Sequence, residues 1–337
     1  MSKVSLLGAG SWGTALAIVL ANNGHDVTLW SAIESEIDML KTYREHKDRL
    51  PGAILPDNIL VTSDLEEACK DKEVIVFSVA SPYVRSTAKM CKNLIPEGQI
   101  IVNVGKGIEE TTLMTLSEIL NEELPQAEIT VLSGPSHAEE VSRGIPTTVV
   151  VGAKKKKTAE FLQATFMNNV FRVYISPDIV GIELGGSLKN VIALAAGMVD
   201  GLGFGDNTKA ALMTRGIAEI TRLGIAMGGK METLAGLSGI GDLIVTCTSQ
   251  HSRNHNAGEL MGQGMSMEDA MKEVKQVVEG VYSAKAAKLL AEKCNVSMPI
   301  IEAVNQVLFE GKSAKEATAE LLTRGRVAEY PDLEWTE

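Results

Sequence analysis

Val4-Ser5-Leu6-Leu7-Gly8-Ala9-Gly10-Ser11-Trp12-Gly13-Thr14-Ala15-Leu16-Ala17 is a short apolar run, a Gly-x-Gly-x-x-Gly turn and a series of good helix formers. The order predicts strand, tight turn, helix. Gly8 permits the sharp change of direction. Gly10 lets the backbone come close to a phosphate, and Gly13 lets the helix settle against the strand. The first N–H groups of that helix and its positive dipole end then face an anion. Three glycines at this spacing also serve a plain turn. The strand before and the helix after are the context that a dinucleotide pyrophosphate requires.

The alternation continues outward from this unit. Asn22-Asn23-Gly24 ends the first helix, and Val27–Trp30 reads as a second strand. Glu73–Val79 and Gln99–Val104 are continuous apolar runs, as in parallel strands buried on both faces. Helical patterns at Pro82–Lys92 and Leu113–Asn121 follow them, and Glu128–Leu132, Thr147–Val151 and Val170–Tyr174 read as later strands. This predicts an α/β fold, a Rossmann-type doubly wound sheet with right-handed crossovers.

At Ser176-Pro177 the pattern changes. Serine at an N-cap and proline at the first helical position open a helix. From there Pro177–Val199, Lys209–Met227, Met231–Leu237, Asn254–Met261, Met267–Lys272, Val281–Lys293, Met298–Leu308 and Ala314–Leu322 all read helical. Two domains are expected: 1–176, binding the dinucleotide, and an all-helical 177–337, carrying the substrate and the catalysis. A length of 337 residues suits about two domains.

A net charge of −11 argues against a nucleic-acid partner, though not against a small anionic substrate. The one basic block, Lys154–Lys157, reads as the solvated start of a helix. Cys69, Cys91, Cys247 and Cys294 have no Cys-x-x-Cys spacing, so neither zinc nor a disulfide framework is indicated. His251 and His255 lie four apart without the glutamate of a His-Glu-x-x-His site, and no metal is expected. Reduced thiols suit a cytoplasmic protein. The glycine-interrupted N-terminus lacks the features of a secretory signal. With no unbroken run of ~18 apolar residues, no membrane span is expected.

Three constellations carry chemistry. In Gly185-Gly186-Ser187-Leu188-Lys189-Asn190 the lysine has no carboxylate at i±3 or i±4. Lys189 is therefore either exposed, or buried for use with its pKa drawn toward neutrality by desolvation. Gly236-Leu-Ser-Gly-Ile-Gly-Asp242-Leu243 reads as a loop, followed by Thr246 and by Ser252-Arg253-Asn254. Asp242 accepts hydrogen bonds, and the planar fork of Arg253 suits a phosphate or carboxylate. Asn103-Val-Gly-Lys106-Gly107 and Ser133-Gly134-Pro-Ser136-His-Ala138 end two strands, where ligands of open α/β sheets bind. Each of these segments is also compatible with a simple surface turn.

Together these blocks resemble the bacterial type of NAD(P)-dependent glycerol-3-phosphate dehydrogenase. The matching segments are Gly8–Gly13, Val104-Gly-Lys-Gly-Ile108, Leu132–Glu140, Glu183–Val191, Gly239–Leu243, Ser252–Asn254 and Val277–Gly280. They occur in order, and the resemblance covers essentially the whole chain. It implies reversible hydride transfer between NAD or NADP and dihydroxyacetone phosphate, giving sn-glycerol 3-phosphate for glycerophospholipid synthesis. It implies Lys189 as proton donor and acceptor. It implies substrate contacts at Lys106, Gly134, Ser136, Lys189, Asn190, Asp242, Thr246, Ser252, Arg253 and Asn254. Cofactor contacts are implied at Gly8, Gly10, Ser11, Trp12, Gly13, Lys106, Ala138, Arg253, Val277 and Glu279. A cytoplasmic homodimer, not embedded in the membrane, is the further implication.

One stretch departs from the pattern. Family members often carry Arg or His after the second strand to meet an adenosine 2′-phosphate; here it reads Trp30-Ser31-Ala32-Ile33-Glu34. Only Arg44 or Arg49, through a loop, offers a substitute, so strong NADPH selectivity is not expected. Two rival readings are a related 3-hydroxy acid or ketopantoate-type dehydrogenase and a non-catalytic nucleotide sensor. Arg253 and Gly239–Asp242 speak against the first, and Lys189 in an uncharged helix against the second.

Overall fold

The computed structural model describes residues 1–326, 328, 329 and 336, so the end of the expected second domain lies mostly outside the described residues. The strands are β1 (Lys3–Leu7), β2 (Asp26–Trp30), β3 (Ile59–Thr62), β4 (Val74–Phe77), β5 (Ile100–Asn103), β6 (Glu128–Ser133), β7 (Thr147–Gly152) and β8 (Phe171–Ser176). They form one sheet in the order β3-β2-β1-β4-β5-β6-β7-β8. The helices among them are α1 (Ser11–Asn22), α2 (Glu34–Tyr43), α3 (Leu65–Cys69), α4 (Val84–Cys91), α5 (Leu116–Glu123), α6 (Ala138–Val141) and α7 (Lys156–Phe166).

β1 to β6 pair in parallel in the order of a doubly wound dinucleotide-binding sheet. The strands are mostly apolar and buried because both faces are covered, β3 being open at Leu60. Val4, Leu6, Val27, Leu29, Val74 and Val76 face α1, while Leu7, Ile75, Phe77 and Ile101 face α3, α4 and α5. β7 departs from the expectation of parallel strands, since it runs antiparallel to β6. The link from Ser133 to Thr147 holds only the four-residue α6. That is too little helix for a crossover, so the chain turns back. β7 and β8 are again parallel, joined through α7, whose leading lysines are exposed as expected.

Past β8 every described element is helical: α8 (Ile179–Gly201), α9 (Asp206–Ala226), α10 (Met231–Leu234), α11 (Asp242–Thr248), α12 (Arg253–Gly262), α13 (Met267–Val274), α14 (Glu279–Lys293), α15 (Pro299–Phe309) and α16 (Ala314–Leu322). α8 is the axis of this half. It is apolar on all sides, as a central helix must be. Its length and composition would suffice to cross a membrane, but 94% of the relevant window is buried inside the protein.

Glycines bring the neighbours of α8 to backbone contact. A Cβ on Gly197 would overlap His255 O, and one on Gly201 would overlap Glu259 O. On the facing helix, a Cβ on Gly258 would overlap Leu194 O, and one on Gly262 would overlap Met198 O. α8 and α12 thus cross through two reciprocal Gly-x-x-x-Gly pairs, which permit approach closer than any side chain allows.

Candidate active site

The segments that follow β4, β5 and β6 meet at the N-terminal turns of α11 and α14, through Ser81 on Glu279 and Lys106 on Asp242 and Gly134 O. At the carboxyl end of β1 the three glycines have separate duties. Gly8 has φ +118°, and a Cβ there would stand 2.6 Å from Val79 N. A Cβ on Gly13 would overlap Gly8 O, so α1 could not seat against β1. Gly10 is different: among the described residues, the only heavy atom within 4 Å of its would-be Cβ, its chain neighbours aside, is Arg49 Nη1, at 3.8 Å. The protein itself does not need a glycine there. The open cradle above Gly10, with α1 beginning at Ser11, fits a bound pyrophosphate. Trp12, on the first turn of α1, is half-buried beside it.

The second cluster sits on α8. Lys189 is 5% exposed, which closes the alternative of a surface lysine. Its Nζ lies 2.8 Å from Asp242 Oδ1 and donates to Thr246 Oγ1 at 2.5 Å. The Thr246 hydroxyl donates to Asp242 O at 2.6 Å, which fixes its lone pairs toward the lysine. Burial draws the Lys189 ammonium down to about 8, against the opposing pull of Asp242. Asp242 itself is 1% exposed. Its other oxygen, Oδ2, accepts from Lys106 Nζ at 2.5 Å, and that nitrogen also donates to Gly134 O at 3.1 Å. Burial would raise the Asp242 carboxyl; the two lysines outweigh it and hold the pKa below its usual value.

This clamp joins the two halves of the chain. Lys106 reaches it because Ser187 Oγ on α8 donates to Gly107 O at 3.1 Å. Glu183, one turn earlier on α8, accepts from Asn103 Nδ2 at 3.1 Å and from Ser117 N at 2.9 Å, pinning the segment after β5 at both ends. Asp242 is presented by a wide π-turn at Leu237–Gly241 leading into α11, where a loop was expected and the helix before it ends at Leu234. Gly239 makes this possible, because a Cβ there would overlap Leu234 O. Wide turns of this kind recur at functional sites.

The third cluster is the N-terminus of α12. Ser252 caps it, its Oγ accepting from His255 N at 3.2 Å. Asn254 points into the protein: Nδ2 donates to Asn190 Oδ1 at 3.0 Å and Oδ1 accepts from Gly280 N at 2.8 Å. It ties α12 to α8 and α14. Arg253 does the reverse. Its side chain is open to solvent inside a crowded cleft, and desolvation there holds its pKa below the ordinary value. Among the described residues it makes no hydrogen bond or ion pair, although Glu279 and Glu139 lie close enough to act on its charge. An unpaired guanidinium in a cleft is a site for an anion.

Glu279, the first residue of α14, takes Ser81 N at 3.2 Å and also accepts from Ser81 Oγ. It thereby binds the second half to the segment after β4. Burial pushes its carboxyl up, against those hydrogen bonds. Val277 precedes it, half-buried. Ala138 is buried at the start of α6, and Ser136 Oγ donates to Gly134 O at 2.9 Å. One residue of this region was not singled out from the sequence. His137 packs near the clamp, its Nε2 3.5 Å from Val245 O, and burial and Lys189 lower its pKa. Arg49 stands at the glycine turn. His137 has no spacing signal of its own, whereas Arg49 was named from the sequence as a cation that a loop could bring in.

Two family models cover the chain: the N-terminal part of NAD-dependent glycerol-3-phosphate dehydrogenase matches residues 3–159, and its C-terminal part matches residues 178–319. The chain belongs to the NAD(P)-dependent glycerol-3-phosphate dehydrogenases. It is 64% identical to the glycerol-3-phosphate dehydrogenase [NAD(P)+] of Agathobacter rectalis over 335 residues, 99% of this chain and 100% of that one. Identity with the protein of the same name from Fusobacterium nucleatum is 56%, covering 98% and 99%. The crystal structure of glycerol-3-phosphate dehydrogenase from Coxiella burnetii superposes with a TM-score of 0.93 at 37% identity, over 96% of this chain and 99% of that one. Membership in this family sets aside the 3-hydroxy acid, ketopantoate and sensor readings.

Proposed function

We propose that this NAD(P)-dependent glycerol-3-phosphate dehydrogenase interconverts dihydroxyacetone phosphate and sn-glycerol 3-phosphate with Lys189 exchanging the proton on the substrate oxygen and Arg253 holding the phosphate. The observation that carries this reading is the contrast between two buried-cleft cations. Lys189 is paired, desolvated and drawn to about 8, whereas Arg253 is unpaired and open. The first suits a group that must both give and take a proton near neutral pH. The second suits a permanent charge that anchors a dianion.

The nicotinamide cofactor supplies the hydride when bound. The chain supplies the rest. Of the three N–H bonds of Lys189, Asp242 and Thr246 engage two, which leaves one for the substrate oxygen. Asp242 keeps the ammonium form tolerable in a dry pocket, and Lys106 fixes the orientation of Asp242. Asn254 and Asn190 hold the start of α12 at a set distance from Lys189. Anchoring the phosphate at Arg253 then brings the carbonyl to the lysine, so binding energy becomes orientation. In this reading Gly134, Ser136 and Ser252 contact the substrate, and Gly8–Gly13, Ala138, Val277 and Glu279 the dinucleotide.

In this reading residues 1–176 bind the coenzyme and 177–337 hold substrate and proton, working as a cytoplasmic homodimer whose product feeds glycerophospholipid synthesis. The test follows the oxidation of NADH with dihydroxyacetone phosphate and with unphosphorylated dihydroxyacetone. Turnover is expected with the first and hardly any with the second; equal rates would remove Arg253 as the phosphate anchor. Lys189→Ala is expected to lose roughly two to four orders of magnitude in kcat while still binding NADH.

A further inference from the structure

A charged cluster between β2 and the glycine turn is unused by the proton-transfer geometry. Ser31 directly follows β2, and its Oγ donates to Glu36 Oε2 at 2.7 Å. Glu36 is 7% exposed. Its other oxygen, Oε1, lies 2.8 Å from Arg49 Nη2 and 3.8 Å from His46 Nε2. The second amino nitrogen of Arg49, Nη1, is the atom that stands over Gly10. One guanidinium therefore spans from the end of β2 to the phosphate-facing turn. Its side chain remains 41% exposed despite the ion pair, so an edge of the fork is free. Arg44, the other arginine of this segment, is committed to Pro56 O and Ile59 O, and Lys47 lies over the Tyr43 ring.

In a doubly wound sheet the end of β2 lies against the adenosine ribose, where NAD carries a 2′-hydroxyl and NADP a 2′-phosphate. A guanidinium fork matches a phosphate, and a carboxylate opposes one. We propose that Arg49 is the cation for the 2′-phosphate and that Glu36 is the carboxylate limiting its pull, so that this pair, in place of a base at residues 31–33, sets the choice between NADPH and NADH. The inference rests on the dehydrogenase reading above. It also gives the pair a reason to be built as it is. Glu36 holds Arg49 in position for either coenzyme, and its negative charge keeps NADPH from binding overwhelmingly better than NADH.

Calorimetric titration without substrate tests this, using NADH and NADPH against the wild type, Arg49→Gln and Glu36→Gln. Arg49→Gln is expected to weaken NADPH binding tenfold or more and to change NADH binding less than threefold. Glu36→Gln is expected to shift the affinity ratio toward NADPH. If Glu36→Gln fails to fold, Arg49→Lys takes its place: charge without the fork should fall between wild type and Arg49→Gln for NADPH alone. Unchanged NADPH affinity in Arg49→Gln overturns the proposal, and so does an equal loss for both coenzymes. Wild-type protein that binds neither coenzyme would instead overturn the dehydrogenase reading.

Discussion

Asp242→Asn removes one charge from a buried site and leaves two lysines facing an amide. At 2.8 Å between Lys189 Nζ and Asp242 Oδ1, an effective dielectric near 20 gives a ceiling of about 6 kcal/mol for the attraction. Relaxation and the sharing of Asp242 with Lys106 reduce that. Opposite charges at such range typically move a pKa by about one to three units. Lys189, at about 8 with Asp242 present, should then titrate at roughly 5–7, and the uncompensated Lys106 pushes the same way. Reduction of dihydroxyacetone phosphate needs the protonated lysine, so its rate falls as pH rises through this pKa. At pH 7.5 the protonated fraction drops from about three quarters to about a quarter or less. The assay is kcat/KM for the ketone from pH 5 to 9 at saturating coenzyme. The limb near 8 in the wild type should move acidward by at least one pH unit in the variant. Glycerol 3-phosphate oxidation, which needs the neutral lysine, should suffer less at pH 7. A variant that is slower at every pH with its limb still near 8 would refute the assignment of Asp242 as the group that sets the proton affinity of Lys189.

Arg253→Lys keeps the charge and loses the fork, so KM for dihydroxyacetone phosphate should rise by about tenfold or more; a change confined to NADH affinity would contradict the phosphate role. Gly258→Ala drives a methyl group into Leu194 O, and thermal melting should show a loss of at least about 1–3 kcal/mol; an unshifted melting temperature would mean that α8 and α12 are not in tight contact. Glu219 accepts from Ile300 N at 2.9 Å and Ile301 N at 3.3 Å, and burial pushes its carboxyl up to about 7 against those bonds. The folded chain thus holds a proton that the unfolded chain has released between about 4.5 and 7, and stability from this group falls as pH rises through that window. Glu219→Gln should flatten that part of the pH–melting curve by up to roughly 3 kcal/mol, and an unchanged slope would count against it.

The sheet was largely legible because its strands are buried on both faces and read as continuous apolar runs. β3 was not, since Leu60 is 45% exposed and the strand is short. α2 was not, since its outward face is charged and Glu36 is buried against Ser31, His46 and Arg49. The site divides the same way. Glycine spacing announces the phosphate turn, because the constraint is local. Lys189 could not be placed as buried or exposed from its own helix, because its partners Asp242 and Thr246 come from a distant segment. The π-turn that delivers Asp242 looked like a loop, because glycines that permit close contact read as glycines that permit flexibility. The reversal at β7 depends on how little helix α6 provides, which residue patterns at its ends do not reveal.

The glycine pairs between α8 and α12 act as a fixed ruler for the substrate. Lys189 rides on one helix and Arg253 on the other, and at the four glycines the helices touch backbone to backbone. The spacing of the two helices that carry the proposed proton donor and phosphate anchor is therefore set by main-chain contacts, which replacing a residue other than these glycines leaves in place. A longer or shorter phosphorylated ketone cannot be accommodated by trimming a residue on either helix. Substrate length is in this sense the least evolvable property of the site, while coenzyme choice, carried by a loop arginine, is among the easiest to change.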